Sequence, residues 1–361
     1  MDTETQTVCA PAQSEGWLWV AVGEGTKPVL TLDDLAQPHL AFMLESMSGW
    51  VHYARVDRST GVVSDTQTVA EGYFYGPFDI ATRLGSFFVV YHDHTSEDLV
   101  LAERVAGGAW ISHPMANSGH DGWHSSLEVG PSGDVHAGSF DPSGFGGLGV
   151  FYGRYANDAW EVELAAPGSF MYDGGLSLAL GAGETPYIAF FDDVEGVAKI
   201  ARRFGPGSWV VEVVEPKGSM LEAGRFPHLI VGEDGATLHL VYLARASSTS
   251  GVIRYATGLF GNLTIQDVAP IDDIQIGMGL EARNIVNVGL MSDGSPVIAF
   301  QSKSETSIAR WVAGAFDLEV LPAAEGVRLR QQVSMAVDGD DRIHLAFWQG
   351  DFPGQVCYGR R

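Results

Sequence analysis

Apolar and polar positions alternate with a period of two through short runs, and Gly/Asp turns separate the runs. One pattern recurs: apolar-x-apolar, a tight turn, then aromatic-x-Ala-aromatic. It reads "VLTLDDLAQPHLAF", "FDIATRLGSFFVVY", "LEVGPSGDVHAGSF", "LALGAGETPYIAF", "LIVGEDGATLHLVY", "VGLMSDGSPVIAF" and "MAVDGDDRIHLAF". Anchored on Leu30, Phe78, Leu127, Leu178, Leu229, Val288 and Met335, the copies are spaced by 48, 49, 51, 51, 59 and 47 residues. Each copy predicts two strands joined by a turn. A third strand follows with a Tyr/Ile-Ala/Gly-Arg signature ("HYARV", "FYGRY", "KIARR", "SIARW", "CYGRR"), and a Gly-x-Trp-like turn opens a fourth ("GGAWISH", "NDAWEVE", "GSWVVEVV", "GAFDLEV").

Four strands per roughly fifty residues, with no sustained helical periodicity, predict an all-β fold: a seven-bladed β-propeller forming one domain over residues 1–361. The seventh copy stops at its third strand, "QVCYGRR". Residues 16–23, with "GWLWVAV", carry the Gly-Trp opening and are expected to complete the last blade, behind an N-terminal tail over 1–15. Cys9 precedes that strand and Cys357 lies in its neighbour. A disulfide between them would close nearly the whole chain and imply an oxidising compartment; the alternative is two buried thiols.

The composition, 45% hydrophobic and 18% charged, allows a large core. The formal charge of −24 repels phosphate backbones, which argues against nucleic-acid binding. No run of eighteen apolar residues occurs, so no membrane insertion is expected. The first twenty residues lack a basic segment followed by an apolar one, as in a mature secreted start or a cytosolic protein. Aspartate pairs in predicted turns (Asp33-Asp34, Asp192-Asp193, Asp272-Asp273, Asp340-Asp341) leave calcium open, without EF-hand spacing. No cofactor is otherwise predicted, and a monomer is expected.

The repeat register sorts the chemistry. His136 aligns with His39, His239 and His344 and with Phe87 and Tyr187, a recurring flat ring assigned to the scaffold. Arg55, Arg104, Arg154, Arg202, Arg310 and Arg360 share the third-strand position, expected on solvated faces or paired with carboxylates. Trp17, Trp110, Trp160 and Trp209 are repeat residues between blades. His120 and His124 have no counterparts. They sit in a loop entering an innermost strand, where other blades place Lys27, Tyr75, Gly175, Phe226, Ile285 and Gln332. Such loops meet the second-to-third-strand loops around the channel mouth, and the mouth is the candidate ligand site.

The candidate catalytic groups there are His124, His120, His94, Tyr75 and Tyr172; the candidate ligand-binding groups are Arg225, Arg283, Arg330, Trp123, Asp173, Tyr73 and His92. Guanidinium forks suit carboxylate, sulfate or phosphate, unless Glu222, Glu281 and Glu325 already neutralise them. A histidine or tyrosine beside a carboxylate clamp suits proton transfer in β-elimination of a uronate. A divalent metal, calcium or zinc, could take His92, His94, His120 and Asp121.

Copies such as "SLEVGPSGDVHAGSFD" and "SLALGAGETPYIAFFD" resemble secreted bacterial propellers of the BNR-like, sialidase-superfamily-like repeat type, over essentially the whole chain. The sialidase S-x-D-x-G-x-T-W box is absent. The resemblance implies a secreted propeller. Some relatives are polysaccharide lyases or glycosidases with paired histidines, a tyrosine and an arginine; others are lectins or scaffolds. In this chain those parts are split, with Tyr73, Tyr75, His92 and His94 in one blade and His124 and Asp141 in the next. The reading is binding of carbohydrate or a small anionic ligand, with a carbohydrate-active enzyme or a protein-interaction scaffold as alternatives. The long segment Ala269 to Asn284 is a candidate lid.

Overall fold

A computed structural model describes residues 9, 15–44, 49–72, 74–105, 107–115, 122–141, 149–168, 174–274, 285–325, 327–351 and 354–361, without the side chains of 74–77. The chain is all-β. A first strand, β1 (Leu18–Glu24), leads into a sheet of β2 (Thr26–Leu32), β3 (Pro38–Leu44), β4 (Gly49–Val56) and β5 (Val63–Gly72). A second sheet holds β6 (Phe74–Arg83), β7 (Ser86–Asp93), β8 (Asp98–Val105) and β9 (Ile111–Met115). A third holds β10 (Trp123–Val129), β11 (Val135–Asp141), β12 (Gly149–Ala156) and β13 (Ala159–Pro167). An eight-stranded sheet follows: β14 (Leu176–Gly181), β15 (Thr185–Asp192), β16 (Val197–Gly205) and β17 (Ser208–Val213), then β18 (Glu222–Val231), β19 (Leu238–Arg245), β20 (Gly251–Leu259) and β21 (Asn262–Ile271). Next come β22 (Val286–Leu290), β23 (Pro296–Gln301), β24 (Glu305–Val312) and β25 (Ala315–Pro322). The last sheet joins β26 (Leu329–Val337), β27 (Ile343–Gln349) and β28 (Gln355–Arg360) to β1.

β1 pairs antiparallel with β28, from Leu18 opposite Arg360 to Glu24 opposite Gln355, so both ends of the chain share one sheet. The Trp19 indole lies where a Cβ on Gly359 would fall, so this strand-centre position has room only for glycine. Cys9 and Cys357 form the disulfide beside this closure, with Cα atoms 5.5 Å apart.

Burial follows position within each sheet. Second strands such as β11 (VHAGSFD) and β27 (IHLAFWQ) are buried at every residue, because neighbouring sheets cover both faces. Fourth strands such as β13 and β25 alternate exposed and half-buried residues. The core therefore lies between sheets: one cluster joins Val29, Ala41 and Tyr53 to Ile80, Val89 and Tyr91. Trp110, Trp160, Trp209 and Trp17 each pack on the edge of such a cluster.

The ring position of the second strand is a hydrogen-bonding post. The Nδ1 atoms of His39, His136, His239 and His344 lie 2.6, 2.6, 2.5 and 2.7 Å from the hydroxyls of Tyr53, Tyr152, Tyr255 and Tyr358. Burial holds each of these imidazoles below its usual pKa. The Asp33 and Asp192 carboxylates cap their own turns, accepting from Leu35 and Gln37 and from Val194 and Glu195.

The second sheet departs from the repeat read in the sequence. Along the inner strands a side chain one residue before each anchor accepts the next sheet's backbone N–H: Leu178 to Ser126 Oγ, Leu229 to Ser177 Oγ, and Leu30 to Ser334 Oγ, all at 3.0 Å. In β6 the acceptor is Asp79, 2.9 Å from Leu127 N. Ile80 is thus the counterpart of Leu30, and Phe78 falls two residues short. On β7 the same shift puts Phe88, opposite Ala81, where His39 stands opposite Thr31; Phe87 pairs one step further out.

Arg104 consequently leaves the shared third-strand position; of the two expectations for it, a solvated face and a carboxylate partner, the second holds. It is 1% exposed, its guanidinium 4.5, 4.8 and 5.2 Å from the rings of Tyr53, Phe87 and Trp110. Its Nη2 and Nη1 donate to Asp65 at 2.8 and 3.3 Å. Arg104→Lys keeps the charge but loses the planar fork, and is expected to destabilise by about 1–2 kcal/mol in urea denaturation. No change in the midpoint would show that only the charge matters there.

Candidate functional site

Several inner strands begin with a bulge. Pairing skips between Thr26 and Val29, Trp123 and Ser126, Arg225 and His228, and Leu329 and Val333. Within these skips Lys27, His124, Phe226 and Gln331 adopt φ of 52°, 52°, 54° and 54°, left-handed backbone that non-glycine residues keep only when packing imposes it. Gln331, rather than Gln332, is therefore level with His124. His124 shares this bulge geometry; its imidazole is 2% exposed and edge-on to Phe140 at 5.7 Å.

The start of β10 and the end of β7 bring three of the expected residues together. The His92 ring lies 5.0 Å from Trp123 and 6.1 Å from His94. Glu97, unmarked in the sequence reading, organises the pair. Its Oε1 is 3.0 Å from His94 Nδ1, and its Oε2 is 3.7 Å from His92 Nε2. The loop holding them is fixed by Asp93, whose Oδ1 accepts from Thr95 N. His92 is fully buried, while His94 keeps 36% of its side chain exposed, so His94 is the imidazole a ligand can reach. Tyr75 pairs with His92 through the backbone register; its side chain lies outside the described residues.

The two described arginines each have partners. Arg225 donates to both oxygens of Glu222, through Nε and, at 2.9 Å, through Nη2; Asp193 lies 4.0 Å away and the Phe191 ring 4.9 Å beneath. Arg245 shares Glu222 at 3.2 Å. Arg330 donates to the Gly350 carbonyl and to Asp351, at 2.6 and 2.9 Å, over the Trp348 ring. Arg225 is thus neutralised by Glu222, whereas the partner of Arg330 is the fully exposed Asp351 rather than Glu325. Tyr73, His120, Asp121, Tyr172, Asp173, Arg283 and the 275–284 part of the candidate lid lie outside the described residues. Among the described residues, no three His, Cys, Asp or Glu side chains converge as a metal cage.

Inward from the mouth, a cavity of about 240 Å³ is lined by residues of β2, β6, β10, β14, β18, β22 and β26. Into it project Asp79, Glu128, His228 and Asn287, none of them marked in the sequence reading. Asp79 accepts from Ile80 N, Leu127 N and Ser126 Oγ, at 2.8, 2.9 and 3.3 Å. Burial nevertheless pushes its carboxyl up to about 6. Burial, and then the neighbouring Asp79 charge, push Glu128 up to about 8. Burial draws His228 down to about 4, so it is neutral near pH 7. The sequence held a signal for both acids: counted from the repeat anchors, the position of Asp79 and Glu128 is Thr31, Ala179, Ile230, Gly289 and Ala336 in the other five copies, all uncharged.

No family model and no curated protein matches the chain. Solved structures match it distantly. A fungal alcohol oxidase in complex with copper aligns at TM-score 0.60 and 12% identity, over 95% of this chain and 75% of that one. A PL25 ulvan lyase aligns at 0.56 and 9%, over 93% of each chain. Aleuria aurantia lectin, in complex with Fucα1-6GlcNAc, aligns at 0.53 and 11%, over 84% of this chain and 98% of that one. At these identities the likeness carries the fold alone: the chain is similar to β-propeller proteins, lectins and polysaccharide lyases among them.

Proposed function

We propose that this chain is a secreted seven-bladed propeller that binds carbohydrate at the mouth of its central cavity. The count of seven is supported by reading the eight-stranded sheet as two blades, since β16 and β18 share a single parallel bridge, Val197 with Ala223. Secretion fits the disulfide, and no helix among the described residues is long and apolar enough to cross a membrane.

The observation that carries the binding reading is the Trp123–His92–His94–Glu97 group. A half-buried indole beside an imidazole–carboxylate pair offers an apolar face for a sugar ring and polar groups for its hydroxyls. The group draws on two neighbouring sheets and is not repeated among the described residues, as a single pocket requires. The Arg330–Asp351 pair, with its exposed carboxylate, gives an anionic substituent a cation to share.

A glycan array followed by calorimetry with the best ligand tests this. Trp123→Ala is expected to weaken binding at least about tenfold. An array with no retained glycan, or unchanged affinity in Trp123→Ala, would remove the reading. The His94–Glu97 contact favours one alternative, a lyase in which Glu97 orients His94 for proton transfer. Unsaturated-uronate absorbance that appears with wild type on acidic polysaccharides and disappears in His94→Ala would select it.

A further inference from the structure

The cavity behind the mouth has an imbalance of charge that the binding site does not use. Two carboxylates, Asp79 and Glu128, line it from adjacent sheets, and no lysine or arginine does so among the described residues. His228 is the one imidazole on the described wall and is neutral near pH 7. Asp79 has donors on both oxygens, an arrangement that suits the ionised form. Glu128 has none, and its nearest electrostatic neighbour is Asp79, of the same sign. A second observation comes from another wall. Asn287 is only 6% exposed, and its Oδ1 has no hydrogen-bond partner although it lines this cavity. With both carboxyls ionised, these three side chains present acceptors that no cationic group on the described lining balances, which costs free energy unless something positive or protic occupies the space.

We propose that the cavity binds one hydrated hard divalent cation of the calcium or magnesium class, held by the Asp79–Glu128 pair with Asn287 reached through its water shell. The donors are all oxygens, which suits such ions and not zinc or copper. The space, about 240 Å³, accommodates an ion together with several waters. Because no third acid joins the pair, the ion keeps part of its hydration instead of being caged. Its position links the second and third sheets to the strand bearing Asn287, so occupancy stabilises the closed ring.

The test is calorimetric titration of the chelator-treated full chain with CaCl2 and with MgCl2, at constant ionic strength, together with bound-metal analysis. One saturable site per chain is expected. Affinity should fall at least about tenfold in Glu128→Gln and rise in Asn287→Asp, which adds a charge at the orphaned acceptor. Circular dichroism checks that both variants fold. A protein of charge −24 also collects cations on its surface. Equal affinity in all three proteins would assign binding to that surface and overturn the proposal, as would the absence of a saturable site. A Glu128 titration unmoved by saturating CaCl2 would also overturn it, leaving protons alone to neutralise the pair.

Discussion

Reducing the Cys9–Cys357 disulfide, or replacing both cysteines by serine, is expected to lower the stability of the folded chain by about 4 kcal/mol, roughly 8 °C in Tm. The bond joins residues separated by 348 positions, so its loss frees nearly the whole chain in the unfolded state. The effect concentrates at one sheet. Cys9 packs with Leu329, Phe347 and Cys357, and Trp19 of β1 lies against that cluster. Without the bond, β1 is held by its ladder with β28 and by the Trp19 ring, edge-on to Phe347 of β27 at 5.7 Å. Opening is then expected to begin there, and hydrogen exchange at β1 should accelerate more than at β11. Exchange that speeds equally across the sheets would show that the bond acts on global unfolding alone. β1 also covers the edge of β28, so a reduced protein in which β1 detaches should aggregate more readily.

The second large effect is a loss of stability between pH 6.5 and 8 that Glu128→Gln abolishes. The folded carboxyl titrates near 8 against an ordinary 4.5. A raised folded pKa means that the folded state favours the neutral acid. The contribution is therefore complete below pH 4.5, declines as the pH rises, and is gone above 8. The displacement corresponds to several kcal/mol, but cavity water reaches the partly exposed carboxyl, so roughly 3 kcal/mol is expected over the whole range from pH 4.5 to 8, and about 1 kcal/mol of it above pH 6.5. Asp79, near 6 against 3.8, adds its own loss between those values. His228 works in the opposite direction: drawn from 6.5 to about 4, it gives stability above 6.5 that disappears as pH falls towards 4. In the acid range Asp79 and His228 thus offset each other, and above pH 6.5 the slope belongs to Glu128. Denaturation midpoints at pH 5, 7 and 9 decide the matter, in chelator. Parallel curves for wild type and Glu128→Gln would mean that cavity water solvates the charge fully.

Much of this molecule is written in short-range pattern. The period of two, the fifty-residue spacing and the missing fourth strand of the last copy locate the strands and the joining of the termini. The cysteine positions then follow as a bond across that joint. The recurring histidine could be assigned to the scaffold because it recurs; its tyrosine partner lies in the same repeat, two residues before Arg55, Arg154, Thr257 and Arg360. The mouth was legible only in outline. His92, His94 and Trp123 do meet, but Glu97 had no repeat signature to mark it. Glu222, the partner of Arg225, lies three residues upstream and could be read from the sequence, whereas Arg330 pairs with Asp351 on a loop whose course no local pattern encodes.

The amino-acid order by itself determined what each segment becomes and which ends join, because strand alternation, turn chemistry and repeat spacing act over a few residues at a time. Only the tertiary structure decided which way certain side chains face. A one-residue slip on the third strand of the second sheet, where Glu103 takes the place that Arg55 has in the first, carries Arg104 into a buried aromatic box. In a strand with a two-residue period a slip of one position exchanges the two faces, and the bulges that fix the register form only when neighbouring sheets pack against them.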